Sequence, residues 1–497
     1  MTNRQPISWT IAASDSGAGA GIQADIKTFA DLGAYGCSAI TAITAQNTQG
    51  VKHVAPVTTS LLAQQLDALI EDLPPIAIKI GVLPTIEMVA LVTDFLGKLP
   101  DTFVIFDPVI KPTKGQTFTG DNSIDGMKSL FPYVNLVTPN IPEAEYLTGT
   151  TITDIDSQYH AAQQLSSLGA EAVLLTGGHN DDLIHTQDLL LINNQSYWLT
   201  NKRHLTNHTH GTGCVLSSAI AAFVSHGKTM KNAVVLANAY VNKGIASATS
   251  LGPLEGSGCV RQTGWPDNFE YFPQVSIAAD RYQLPSMVSC NTDSLGLYPV
   301  VDSIDWLKKL LPLGITTLQL RMKDVPAEDL DNIIVEAVSL ANKYGARLFI
   351  NDYWRQAIQY GAYGVHLGQE DIVSADINAI RMAGLRLGIS THSEFEFCYA
   401  ATYRPSYLAI GSIFPTQTKE VIEVGLVNLN YWAQLLRNHF PLVAIGGIAI
   451  DNIEGVADSG VGSIAVVSAI TQANDYRAAV ASLQDKIKHQ VKTKKST

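Results

Sequence analysis

From Leu295 to the C-terminus eight short apolar runs recur, each stopping on small or polar residues: Val300-Val301, Gln319-Leu320-Arg321-Met322-Lys323, Asn351-Asp352, His366-Leu367-Gly368, Ser390-Thr391, Gly411-Ser412, Gly446-Gly447 and Ser468. Helical periodicity at 304–311, 330–344, 431–438 and 475–487 separates the runs. This alternation predicts a (β/α)8 barrel of ~200 residues, whose closed parallel ring puts every strand C-terminus on one face. Residues distant in sequence then converge around one pocket, which makes the second half an enzyme candidate.

The first half reads differently. Runs at 8–13, 36–45, 77–80, 103–107, 136–138, 172–176 and 188–192 read as strands, most of them apolar on both faces, while 65–73, 86–96, 157–168 and 214–225 carry the 3.6-residue period. An open α/β sandwich is expected. Between 251 and 286 the turn-forming residues Gly252-Pro253, Gly264-Trp265-Pro266 and Phe272-Pro273 mark a boundary. Trp265, Phe269, Tyr271 and Phe272 make that stretch apolar enough to dock. A chain of 497 residues suits two domains; the expected division is a first domain at 1–263, a connector at 264–286 and a barrel at 287–497.

Hydrophobic residues make up 46% of the chain and charged residues 16%, a balance that favours buried sheets over disorder. A net charge of −12 gives no electrostatic footprint for nucleic acid. Phosphates would therefore be held by backbone N–H groups at helix starts and a few placed cations. The basic run 486–495 reads as a solvated tail. Five scattered cysteines without CxxC spacing argue against a structural metal and a disulfide framework, and fit a reducing compartment. With no signal-peptide pattern and no run of ~18 apolar residues, a cytoplasmic protein with small-molecule partners is expected, without membrane or nucleic acid; a homo-oligomer is allowed.

Gly211-Thr212-Gly213-Cys214 opens an apolar helix. Such a turn aims backbone N–H groups and the positive helix end at one spot, where charge on a transferred phosphoryl group is stabilised; a plain strand-to-helix turn is the competing reading. The glycine-rich loop 14–21 lacks Gly-Lys-Ser/Thr and the dinucleotide spacing, so it is neither a Walker loop nor a Rossmann fingerprint. It reads as substrate-facing, with Asp25 and Gln46 offering directional hydrogen bonds to a small polar heterocycle. Asp107, Asn140 and Glu143 fall just past strand ends, where oxygen ligands suit Mg2+ arriving with phosphates. Helix capping is the plainer role for Asn140 and Asp107.

At the barrel mouth, Asp352 and Asp371 are placed to bind Mg2+, while Gln319, Arg321, Lys323, Asn351, Thr416, Thr418 and Lys419 face a polar, anionic substrate such as a diphosphate. Gly446-Gly447, Val467 and Ser468 follow strands seven and eight, where such barrels bind a second phosphate through backbone N–H groups. A metal diphosphate beside an acceptor phosphate suggests group transfer with diphosphate leaving.

Two resemblances rest on these residues. Ala13-Ser14-Asp15-Ser16-Gly17-Ala18-Gly19-Ala20-Gly21, Thr41-Ala42-Ile43-Thr44-Ala45-Gln46, Thr138-Pro139-Asn140-Ile141-Pro142-Glu143 and Thr209-His210-Gly211-Thr212-Gly213-Cys214 resemble the hydroxymethylpyrimidine and hydroxymethylpyrimidine-phosphate kinases of thiamin biosynthesis, over residues 7–250. The resemblance implies a ribokinase-like fold, ATP as co-substrate and an anion hole at Gly211 and Gly213. It also implies Cys214 as the base, its thiol lowered from ~8.5 by the helix start. Asn140, Glu143 and Thr176 would serve the nucleotide, and Asp107 with Glu143 the metal. Two departures touch the phosphate region: the loop after Asp107 carries its lysines at 111 and 114, and Thr176 stands where the family usually has lysine.

Over 287–485, Gln319-Leu320-Arg321-Met322-Lys323, Asn351-Asp352, Gly364-Val365-His366-Leu367-Gly368-Gln369-Glu370-Asp371, Ser390-Thr391-His392 and Phe414-Pro415-Thr416-Gln417-Thr418-Lys419 resemble thiamine-phosphate synthase, with Ser412 in place of a common proline. This resemblance implies a dissociative displacement at the pyrimidine methylene, with Ser390 and Lys419 at the reacting groups. Together they imply a bifunctional enzyme that phosphorylates hydroxymethylpyrimidine and its monophosphate, then joins the diphosphate to thiazole phosphate. The alternative is a pyridoxal-type kinase fused to a thiazole tautomerase-like or regulatory phosphate-binding barrel.

Overall fold

The computed structural model describes residues 5–110, 125–178, 184–251, 258–279, 284–323, 325–416 and 423–494. The chain forms two compact units, Met1–Tyr282 and Gln283–Thr497.

The first unit is built on a ten-stranded sheet: β1 (Ile7–Asp15), β2 (Tyr35–Asn47), β3 (Gly50–Pro56), β4 (Ala77–Ile80), β5 (Phe103–Phe106), β6 (Leu136–Val137), β7 (Ala172–Leu175), β8 (His185–Ile192), β9 (Gln195–Lys202) and β10 (Gln274–Ser276). Their spatial order is β10-β9-β8-β7-β6-β5-β4-β1-β2-β3, parallel from β7 across to β2 and antiparallel at both margins. The central strands are apolar runs because helices cover both faces. On one side Trp9 stacks on Phe95 and Phe106 meets Phe131 edge-on. Each such side chain stabilises the fold by ~1.5–3 kcal/mol through burial. On the other lie the helices Thr212–Ser225 and Met230–Ala246, whose alanines and serines let them pack closely.

Sequence periodicity did not reveal β3, β9 or β10. In β3 only Val51 is buried, so no apolar run marks it. The helix Gly21–Asp31 escaped because its start carries neither a capping side chain nor an acidic first turn. Much of the 264–286 stretch belongs to the first unit: Trp265 packs edge-on against Phe223 and His226, Asn201 and Asn242 donate to the Tyr271 carbonyl, and β10 pairs with β9.

The second unit is a closed barrel of eight parallel strands: β11 (Gly296–Val301), β12 (Thr317–Leu320), β13 (Arg347–Asn351), β14 (Gly364–Leu367), β15 (Arg386–Thr391), β16 (Tyr407–Ile410), β17 (Leu442–Ala444) and β18 (Ser463–Val466). Its interior is a packed core, in which Tyr298, Phe349 and Tyr407 meet at ring centroid distances of 5.8, 5.2 and 6.1 Å. Gly388 makes room for this layer, since a Cβ there would enter the Tyr407 ring. Among the described residues no helix is long and apolar enough to cross a membrane.

Candidate active sites

In the first unit a cleft of about 600 Å³ opens over the carboxyl ends of the parallel strands, the usual place for a ligand in an open α/β sheet. β1 ends on Asp15, β5 delivers Asp107, β6 leads to Asn140 and β7 to Thr176, while Gln46 borders the cleft from β2. Gly211 caps the helix Thr212–Ser225 in the left-handed region (φ 82°), pressed against the Gly19 carbonyl, where no side chain fits. The helix start therefore faces the cleft with backbone N–H groups. A Cβ on Gly213 would stand 3.7 Å from Asp107 Oδ2, so the glycine leaves open the space between helix start and carboxylate.

Asp25 does not reach the cleft. The helix Gly21–Asp31 turns it inward, fully buried, where it accepts from Thr10 Oγ1 and Ser218 Oγ (both 2.6 Å) and pairs with Lys79 Nζ at 2.9 Å. Its expected contact with a heterocycle is thereby corrected: the carboxylate is already engaged from three sides. Lys79, which the sequence reading passed over, lines the cleft floor. Burial opposes its charge, yet Asp25 and then Cys214 and Asp107 hold its pKa above the ordinary range.

Cys214 lines the cleft as placed by sequence, but its chemistry is corrected. Burial pushes the thiol up to about 12; Lys79 pulls the other way, while Asp107 and Asp25 add to the rise. The helix start does not make it a thiolate. Asp107 is raised to about 6, first by burial and then by Asp25 against the pull of Lys79, and it accepts a hydrogen bond from Ser217 Oγ at 3.2 Å. Glu143 is raised to about 8 by burial and by Asp107. Asn140 and Glu143 form a reciprocal cap on the helix Ile141–Thr148, Glu143 N donating to Asn140 Oδ1 (2.9 Å) and Asn140 N to Glu143 Oε2 (3.0 Å), while both still border the cleft. Asp188, a further residue that sequence reasoning missed, also lines it; burial raises its pKa to about 6, against donors at Gly177 N and Asn238 Nδ2. The departures at 111 and 114 lie outside the described residues.

In the barrel the strand ends gather the second set on one rim. β12 carries Gln319 and leads to Arg321 and Lys323, β13 ends on Asn351 followed by Asp352, β14 leads to Asp371, β15 brings Ser390, and β17 and β18 lead to Gly447 and to Val467 with Ser468. Asn351 Nδ2 donates to Asp352 Oδ2 at 2.6 Å, and Gly368 N donates to Asp371 Oδ2 at 3.3 Å. Gly446 (φ 104°) lies against Ser412, and Phe414 N donates to the Gly446 carbonyl, pinning the loop that carries Thr416 beside the β17 exit. Thr418 and Lys419 lie outside the described residues. His366, buried on β14, is brought down to about 3 by burial and the Arg321 charge, so its ring is neutral. Among the described residues no group of three or more His, Cys, Asp or Glu side chains is placed to hold a metal ion. Asp107 and Glu143 act on one another electrostatically at the cleft, while Asp352 and Asp371 follow the neighbouring strands β13 and β14.

Comparison with known proteins gives each half its own relatives. The family model described as phosphomethylpyrimidine kinase matches residues 15–260, and that described as thiamine monophosphate synthase matches residues 297–470. Thiamine-phosphate synthases of Serratia proteamaculans and Pectobacterium atrosepticum are 58% and 54% identical over 191 residues, which span 38% of this chain and 90% of each relative. Among solved structures, the pyridoxal kinase of Staphylococcus aureus in complex with pyridoxal is 31% identical, with a TM-score of 0.50, covering 55% of this chain and 98% of its own. A phosphomethylpyrimidine kinase of Clostridium difficile 630 is 36% identical (TM-score 0.44), covering 48% of this chain and 100% of its own.

Proposed function

The chain belongs to the phosphomethylpyrimidine kinase family through its first unit and to the thiamine-phosphate synthase family through its second, and on that premise we propose that the two sites described above perform successive steps. It is a bifunctional enzyme of thiamine biosynthesis. The first unit phosphorylates hydroxymethylpyrimidine and its monophosphate, and the barrel couples the diphosphate to thiazole phosphate. What supports this reading is that Asp107, Asn140, Glu143 and the helix start at Gly211 border one cleft of the first unit, while Arg321, Asn351, Asp352 and Ser390 lie at or just past strand ends of one closed barrel.

In the kinase cleft, Gly211 and Gly213 open the helix start to a transferred phosphoryl group, and Gln46 borders the alcohol substrate. Asp107 and Glu143 would hold Mg2+, which when bound neutralises phosphate charge. Phosphoryl transfer is largely dissociative, so positioning outweighs base strength. With burial pushing its thiol up to about 12, Cys214 takes the substrate proton late in the transfer. Cys214→Ala is therefore expected to lower kinase turnover only about tenfold, below the ~10²–10⁴ of a full acid–base contribution. A loss beyond 10³, measured on hydroxymethylpyrimidine with ATP, would restore the cysteine to the central role.

Raised carboxylate pKa values also set a pH dependence. With Glu143 raised to about 8 and Asp107 to about 6, the pair takes up protons toward pH 6 that a cation must displace, so apparent Mg2+ affinity weakens as pH falls from 8 to 6. The slope is expected to approach tenfold per pH unit, that of one displaced proton. The Mg2+ dependence of kinase rate at fixed nucleotide measures this, and a flat profile contradicts the assignment.

At the barrel mouth, Asp352 and Asp371 would hold Mg2+, which supplies charge neutralisation on the leaving diphosphate. Arg321, Lys323 and Asn351 orient that diphosphate, and the Gly447 and Ser468 region receives the thiazole phosphate. The methylene C–O bond breaks with its electron pair leaving on diphosphate, and the thiazole nitrogen forms the new C–N bond. The overall test supplies purified protein with hydroxymethylpyrimidine, ATP, Mg2+ and thiazole phosphate. Thiamine phosphate is the expected product; its absence, with both substrates unchanged, refutes the reading.

A further inference from the structure

We propose that Arg203 is the cation that holds the nucleotide's phosphates beyond the first, and so sets the preference of the first unit for a nucleoside di- or triphosphate over the monophosphate. The inference rests on the reading of the cleft as the kinase site. Among the described residues, four carboxylates line that cleft, Asp15, Asp107, Glu143 and Asp188, against three side chains of fixed positive charge, Lys79, Lys202 and Arg203. Lys79 is buried against Asp25, which meets its charge at 2.9 Å. Thr176, just past β7, brings a hydroxyl without charge. A polyphosphate stays anionic even with one Mg2+ bound, and a helix start answers only about half a charge.

The sheet topology places the missing cation. β9 runs antiparallel to β8 and β8 antiparallel to β7, so β9 ends on the same edge as β7, where the cleft opens. Arg203 directly follows β9, its backbone N–H donating to the Ile184 carbonyl at 2.7 Å, and its side chain reaches back across β8 so that Nη1 donates to the Gly178 carbonyl at 3.2 Å. That reach of two strand spacings, ~10 Å, sets the guanidinium beside the loop that leaves β7. The loop is pinned. Thr176 N donates to the Pro139 carbonyl at 2.9 Å and Gly177 N to Asp188 Oδ1 at 3.0 Å, while Gly177 is pressed so close to the Gln187 carbonyl that no side chain fits. Across the cleft the order is therefore Asp107 and the helix start at β5, Asn140 and Glu143 at β6, the guanidinium at β7, and on the far side Asn201 and Asn242, which share the Tyr271 carbonyl. Phosphates running from the helix start toward that far side pass the guanidinium before the nucleoside begins. Arginine carries five N–H donors in a planar fork, so one can hold the Gly178 carbonyl while others face an oxyanion, a pairing stronger than that between neutral groups. Arg203 is half-buried and therefore less screened than the exposed Lys202 beside it.

The test uses the full chain and nucleotides that differ only in phosphate number. With Mg2+ present, calorimetry of Arg203→Gln is expected to show ADP binding weakened about 30-fold, the scale of one hydrogen bond between charged groups, with AMP binding changed by less than about twofold. The KM for ATP should rise in step with the ADP constant, while the KM for hydroxymethylpyrimidine holds. Arg203→Lys keeps the charge and loses the fork, so an ADP loss of about fivefold is expected, again with AMP unmoved. This second variant decides the matter where Arg203→Gln does not fold. Three results each overturn the proposal alone: ADP binding of Arg203→Gln within about threefold of the unmutated chain, equal weakening of ADP and AMP, or the same ADP loss in Lys202→Gln. An unmutated chain that binds neither ADP nor ATP overturns the reading of the cleft as well.

Discussion

Asp352→Asn is expected to reduce thiamine phosphate formation from supplied pyrimidine diphosphate and thiazole phosphate by about 10³-fold, the scale of losing one electrostatic stabiliser of a departing anion. The substitution removes charge with little change of shape. Asp352 sits in the left-handed region (φ 65°), which asparagine also tolerates, and its N–H still donates to the His366 carbonyl at 3.0 Å. The partner carboxylate, Asp371, follows the neighbouring strand β14, so Asp371→Asn should behave alike and the pair should be far from additive. Higher Mg2+ concentration is expected to recover part of the rate. Kinase turnover of the same protein should stay within about twofold, since each unit encloses its own core. Coupling within tenfold of the unmutated rate, measured at saturating Mg2+, would remove these carboxylates from the metal site.

The rim of the barrel was legible in the sequence because strand ends are chemically punctuated: Asn351-Asp352, Ser390 and Gly446-Gly447 interrupt apolar runs at the residues where the chain leaves the sheet. The interior was not. Tyr298, Tyr407 and His366 lie within strands, where an aromatic reads as packing, and only the closed topology brings β11, β14, β15 and β16 side chains into one file. Capping could be anticipated for Asn140, since Asn-x-x-Glu before a helix is a local signal, and the structure adds that the capped end also borders the cleft. The misplacement of Asp25 has a local cause. Without a cap to announce the helix Gly21–Asp31, its period was missed, and that period puts Asp25 on the buried face with Ile22, Thr28 and Phe29.

Lys79 escaped for a related reason, and it carries the second large effect. In Ala77-Ile78-Lys79-Ile80 a single lysine reads as a solvent-facing position of a strand, yet here both ends of the ion pair are fully buried. Removing one partner of such a pair strands the other charge in a medium that cannot solvate it, at ~3–5 kcal/mol. Lys79→Met should therefore destabilise the first unit by about that amount, lowering its unfolding midpoint by roughly 10 °C for a domain of this size. Phosphorylation should fail with it, because Lys79 also restrains the pKa of Asp107 beside the helix start. Adding Asp25→Asn to Lys79→Met removes the stranded charge, while Thr10 and Ser218 can still hydrogen-bond the amide. The double variant is expected to regain more than half of the lost stability without regaining kinase turnover. That split between stability and activity would assign Asp25 to holding Lys79 and Lys79 to the cleft. Equal recovery of both, followed by thermal unfolding and kinase assay on the same preparations, would instead reduce the pair to a structural strut.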